Sequence, residues 1–119
     1  MSNMDHVHER LSLAVRYLAT QRGSLRARAL DAYLEHVCVL WPDEFNDRLR
    51  PKFKELNDMV RDIVDRTERN PGPWNLELHG GAYEIAKRKI RESTGRKIAM
   101  LIWRLYADVE FSLFEEFAR

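Results

Sequence analysis

The densest chemistry in this sequence lies in "KRKIRESTGRK", Lys87 to Lys97, where Lys87, Arg88, Lys89, Arg91, Arg96 and Lys97 make six cations in eleven residues against one acid, Glu92. Six phosphate contacts would give strong, steeply salt-dependent binding to a nucleic-acid backbone. Lys87, Arg88, Arg91, Arg96 and Lys97 are therefore the candidate anion or nucleic-acid contacts. Helical geometry divides the cluster, however: Lys87, Arg88 and Arg91 lie together, while Lys89 and Arg96 face elsewhere. No aromatic is interleaved to stack on bases. The formal net charge of the whole chain is only +1, so a polyanion partner has to rest on this patch alone. A solvated helix face is the competing reading.

Just upstream, "LHGGAYEIAKRK" sets Gly80 and Gly81 before a helix start, with Lys87, Arg88 and Arg91 in the following turns. Backbone N–H groups and positive charge could there meet a phosphate or carboxylate. A phosphate loop would close on Gly-Lys-Ser/Thr after a strand, and that pattern is absent. Nor does a Gly-x-Ser-x-Gly elbow accompany the two glycines to make them part of an oxyanion site. The whole stretch "NPGPWNLELHGG", Asn70 to Gly81, thus reads as chain-turning punctuation, with Trp74 and Leu76 or Leu78 lying over the end of a bundle.

The other ionisable groups carry less. His6 and His8 are two apart and point to different sides of a helix, and no His-Glu-x-x-His or Glu-x-x-His pattern involves them, His36 or His79. His6 with Glu9 has the right spacing for two ligands, which is too few for a site. Glu55, Asp58, Asp62 and Asp65 share one side of a helix and could face a hard cation. Asp62 with Arg66 and Asp65 with Arg69 are nevertheless acid-before-base pairs at the spacing that stabilises an exposed face. The single cysteine, Cys38, sits in an apolar segment and reads as a small core residue, not an activated thiolate. No catalytic residue, metal or cofactor is predicted.

Helices must position all of these groups. Met4, Val7, Leu11, Ala14, Val15 and Leu18 recur at helical spacing up to a stop at Gly23, and Ser24 can cap the next helix. Leu25 to Leu40 has two apolar faces, Leu30, Leu34, Val37 and Trp41 on one and Leu25, Ala29, Ala32, Val39 and Leu40 on the other, which predicts a central helix. Phe45, Leu49, Phe53, Leu56, Val60, Ile63 and Val64 hold a single stripe across Pro51, predicting a helix over 43–68 with a kink at the proline. Ala82 to Phe117 is again helical in period, interrupted only by Ser93, Thr94 and Gly95. Unbroken, it would be about 54 Å long. Either Gly95 breaks it, or it projects from its own bundle onto a second copy.

The expectation is an all-α, single-domain bundle of four to five helices over 1–119, near 4–22, 25–40, 43–68 and 82–117, with a loop over 69–81. Leu11, Leu34, Phe53, Val60, Ile98, Leu101 and Leu105 are the expected core. No apolar run reaches the roughly 20 residues that span a bilayer, and the start "MSNMDHVHERLS" has no basic segment followed by an apolar one. A cytoplasmic setting is expected.

The last segment offers more apolar arc than one bundle needs: beside Ile98, Leu101, Ile102, Leu105, Val109 and Leu113 it carries Trp103, Tyr106, Phe111, Phe114 and Phe117. These five aromatics are the candidate interface. The function expected is that of a small non-enzymatic interaction protein, such as an adaptor, regulator or assembly subunit. Its partner is another protein, most simply a second copy in a homodimer. The alternative is a nucleic-acid-associated protein using residues 87–97.

Overall fold

The expected all-α architecture is observed in a computed structural model that describes residues 3–118, with five α-helices and no strand among those residues. The first, α1 (Asn3–Thr20), turns Met4, Val7, Leu11 and Ala14 inward at steps of three and four. Gly23, at φ +104°, turns the chain out of it in a conformation that L side chains rarely adopt. The side chain of Ser24 then accepts from the Ala27 N–H at 3.3 Å and caps α2 (Leu25–Ala32).

The central helix expected over 25–40 is shorter than its pattern. After Ala32 the backbone widens into a π-helical turn, Tyr33–Val37, whose Tyr33 carbonyl accepts from Cys38 N at 2.9 Å. A wider turn shifts the angular phase of everything beyond it. Val37 and Leu40 remain buried, but Cys38, Val39 and Trp41 come out exposed, against their expected places on apolar faces. Cys38 is therefore not a core residue; its Sγ approaches the Leu34 carbonyl at 2.9 Å, and desolvation of the sulfur still pushes the thiol pKa up while Arg10 pulls the other way. Arg10 of α1 anchors the turn by donating to the carbonyls of Glu35 at 2.7 Å and His36 at 3.1 Å.

Pro51 does not kink a helix. It lies in the first turn of α3 (Arg50–Arg69), where its missing N–H has no helical partner to lose. A 3-10 turn at Pro42–Glu44 precedes it, and the Arg50 guanidinium closes the segment by donating to the carbonyls of Pro42 and Phe45 at 3.1 and 3.0 Å. Phe45 and Leu49 are buried as the stripe required, but from turns. Along α3 the stripe continues through Phe53, Leu56, Val60 and Ile63 to Thr67, whose hydroxyl donates to the Ile63 carbonyl at 2.8 Å.

The last helical region is divided, though not at Gly95. Helix α4 (Ala82–Lys89) ends at Ile90, which is extended at φ −68° and ψ 152°, and α5 (Glu92–Ala118) begins two residues later. Arg26 of α2 holds the break: its Nη1 donates to the freed Ile90 carbonyl at 2.9 Å, and its Nε lies 3.5 Å from the Glu92 carboxylate. Gly95 lies buried inside α5, where α2 crosses it.

Helix α5 packs against α1, α2 and α3, and its inward residues Ile98, Ile102, Leu105 and Val109 form the spine of the core. Leu11, Phe53 and Val60 are buried as expected, but Leu34 and Leu101 are only half-buried. Leu105→Ala is accordingly expected to cost about 2 to 5 kcal/mol and Leu101→Ala distinctly less, because only the first leaves an enclosed cavity. Urea unfolding of the two variants checks this; equal losses would mean that both sides of the stripe are enclosed.

Candidate interaction surface

At 27 residues, α5 is about 40 Å long, against about 27 Å for the 18 residues of α1. The two run antiparallel, since His8 of α1 meets Tyr106 and Glu110 of α5 while Asp5 borders Leu113, Glu116 and Phe117. The molecule is correspondingly elongated, 55 × 27 × 23 Å.

Helical geometry gives α5 a second apolar stripe on the side opposite its core stripe. Met100, Trp103, Ala107, Phe111, Phe114 and Ala118 succeed one another at steps of three and four, and all are exposed. Met100 is 43% exposed, Trp103 49%, Phe111 56% and Phe114 68%, so the large side chains face outward along most of the helix. Scattered apolar residues on a surface are ordinary, whereas an aligned row of this length is a candidate contact face.

The five predicted aromatics therefore separate. Trp103, Phe111 and Phe114 stand on the outer stripe. Phe117, 92% exposed, lies off it, beside a hollow that it shares with Asp5, Leu113 and Glu116. Tyr106 turns toward α1, where its ring stacks on His8 at 5.4 Å and its hydroxyl donates to Glu110 at 2.6 Å. That hydrogen bond, with a further contact from His8 at 3.3 Å, holds the Glu110 carboxyl below its usual range; the same bond raises the Tyr106 pKa. Met100 and Ala107 belong to the stripe but are not among the predicted residues. Their signal is the phase shared with Trp103, Phe111 and Phe114.

The basic residues are not gathered into one surface. Lys87 is drawn inward, its Nζ 2.9 Å from Asp31 and 2.7 Å from Glu84. Burial tends to lower its pKa, but the bonds to Glu84 and Asp31 outweigh this and raise it. Lys87 is thus a clamp between α4 and α2. Arg88, Arg91, Arg96 and Lys97 are exposed, and the break at Ile90 distributes them over separate segments. Arg91 and Lys89 do border an open groove with Arg66 and Arg69 of α3. Lys89 donates across it to the Asn70 carbonyl at 2.7 Å.

Between α3 and α4 the chain turns much as its glycines and prolines imply. Asn75 accepts from Leu78 N through its side chain and from His79 N through its carbonyl, both at 3.0 Å, and Gly72, Gly80 and Gly81 take positive φ. Trp74 and Leu76 are half-buried, whereas Leu78 is exposed. On the acidic side of α3, Asp62 pairs with Arg66 at 3.0 Å as the spacing predicts. His6 lies 3.8 Å from Glu44. Among the described residues, no three His, Cys, Asp or Glu side chains converge as a metal site would need, and no helix is long and apolar enough to cross a membrane.

No family model, curated protein or solved structure matches this chain.

Proposed function

We propose that the protein acts through protein–protein contact at the outer face of α5, as a small non-catalytic adaptor, regulator or assembly subunit. One observation carries this reading: the helix that forms the spine of the core presents a second row of large apolar side chains, Met100, Trp103, Phe111 and Phe114, to solvent. Burying such a row against a partner is favourable at roughly 25 cal/mol per Å² of apolar surface removed from water. Tryptophan is among the residues enriched at interface hot spots, where it brings large contact area for little conformational entropy. Phosphate-backbone contact through residues 87–97 has less support, since Lys87 is committed to Asp31 and Glu84 and the remaining cations are dispersed.

A photo-crosslinking amino acid placed at Phe111, with Glu68 on the exposed side of α3 as control, tests the proposal in the cell of origin. Adducts of defined protein mass from position 111 and not from position 68 are expected. No adduct from position 111, or equal labelling from both, would overturn it.

A further inference from the structure

We infer that the outer stripe of α5 is covered by the same stripe of a second copy, in an antiparallel helix pair whose two-fold axis passes beside Ala107. This inference rests on the reading of α5 as a docking face and names its occupant. The order of side-chain sizes along the stripe is nearly symmetric. Ala107, the small residue between the large side chains, lies midway between Met100 and Phe114, and also midway between Trp103 and Phe111. A two-fold axis at Ala107 sets Met100 level with Phe114 of the partner copy and Trp103 level with Phe111, while small residues meet at the centre and allow the helices to approach.

Lateral position fits as well. At about 100° per residue, Phe111 and Met100 lean to one side of the stripe, and Trp103 and Phe114 lean to the other. In each level of the pair, side chains leaning to opposite sides would therefore lie next to one another rather than collide. A parallel pair would instead set each large residue against its own copy, Trp103 on Trp103 and Phe111 on Phe111.

Charge gives independent support. From Ser93 to Ala107 α5 contains Arg96, Lys97 and Arg104 and no acid; from Asp108 to Ala118 it contains Asp108, Glu110, Glu115 and Glu116 and no base. Asp108 is engaged by Lys52 of α3, whereas Lys97, Arg104 and Glu115 are exposed along one flank of the stripe. The two-fold axis brings Glu115 of one copy level with position 99 of the other, between Lys97 and Arg104, about 3 Å along the helix from the first and about 8 Å from the second. Lys97 and Arg104 border, with Arg96 and with Glu55 of α3, one hollow beside that flank, three cations to one acid, so positive charge is left there for the incoming carboxylate to offset. An antiparallel partner meets this charge with acids, while a parallel one would repeat it.

The test uses the full chain at near-physiological salt. Wild type is expected to exceed the 14.1 kDa mass of one chain as concentration rises in light scattering. The pair Lys97→Glu with Arg104→Glu, and separately Glu115→Arg, should each raise the dissociation constant roughly tenfold, as two reversed exposed ion pairs allow. An equimolar mixture of the two variants should regain wild-type association, because opposite flanks then meet at both symmetry-related contacts. In a Cys38→Ser background, Ala107→Cys should form a disulfide-linked dimer on mild oxidation, and Met100→Cys should not. Coupling of Met100→Cys with itself, or no recovery in the mixture, would overturn the antiparallel pair. A constant mass of one chain up to near-millimolar concentration would overturn self-association itself, while crosslinks from Phe111 to a different protein would leave the docking face standing.

Discussion

Gly95→Ala is expected to destabilise the protein by about 1 to 3 kcal/mol, and Gly95→Val by more. At an exposed helical position the first of these changes would be stabilising by about 1 kcal/mol, since alanine is the better helix former and glycine loses more entropy on folding. The sign reverses here because of what faces the missing side chain. A Cβ on Gly95 would lie 2.4 Å from Cα, 2.6 Å from Cβ and 3.0 Å from N of Arg26. Two of these are backbone atoms, so no rotamer change relieves the overlap and α2 itself has to move. That movement would also stretch the bond from Arg26 Nη1 to the Ile90 carbonyl, which secures the break between α4 and α5. Denaturant unfolding of Gly95→Ala gives the sign directly. A gain in stability would show that α2 crosses α5 farther away than 2.4 Å implies.

Gly95 also shows which features of the fold can be read in the sequence. Interruption of the final helical pattern near Ser93 to Gly95 is visible there, but a glycine serves equally as a break and as a point of close helix crossing. Only the position of Arg26 distinguishes these roles. Pro51 raises the same ambiguity: the apolar phase passes through it unchanged, and turns at Phe45 and Leu49 present buried residues as well as a helix would. The π turn after Ala32 has no compositional mark, so helical spacing places Val39 and Trp41 by a phase that the backbone abandons.

The candidate surface divides in the same way. Excess apolar arc on the last helix is legible because it depends only on local spacing, and Trp103, Phe111 and Phe114 can be chosen from it. Tyr106 cannot be separated from them, since its partners His8 and Glu110 come together only when α1 lies antiparallel to α5. Lys87 is likewise indistinguishable from its basic neighbours until Asp31 arrives from α2. Periodicity reports which sides of a helix are apolar, whereas the partner of each side is decided by tertiary packing.

Phe53→Ala is expected to cost about 3 to 5 kcal/mol, a large part of the stability of a domain this size. Phe53 is fully buried in the first turns of α3, and its ring stacks on that of Phe45 with centroids 4.5 Å apart and planes inclined by 20°. Phe45 comes after the 3-10 turn and has no helix of its own to hold it. The two rings thus join the irregular segment before Arg50 to the core, and truncating one leaves a cavity while removing the partner of the other. Phe53→Leu retains most of the volume and should cost clearly less, with the lost ring contact contributing about 0.5 to 1.5 kcal/mol. Both variants should be unfolded at one low protein concentration, because self-association at α5 would make apparent stability depend on mass action. If Phe53→Ala costs under about 1.5 kcal/mol, the segment over 42–50 is able to collapse into the space left behind, and the Phe45–Phe53 pair does not anchor it.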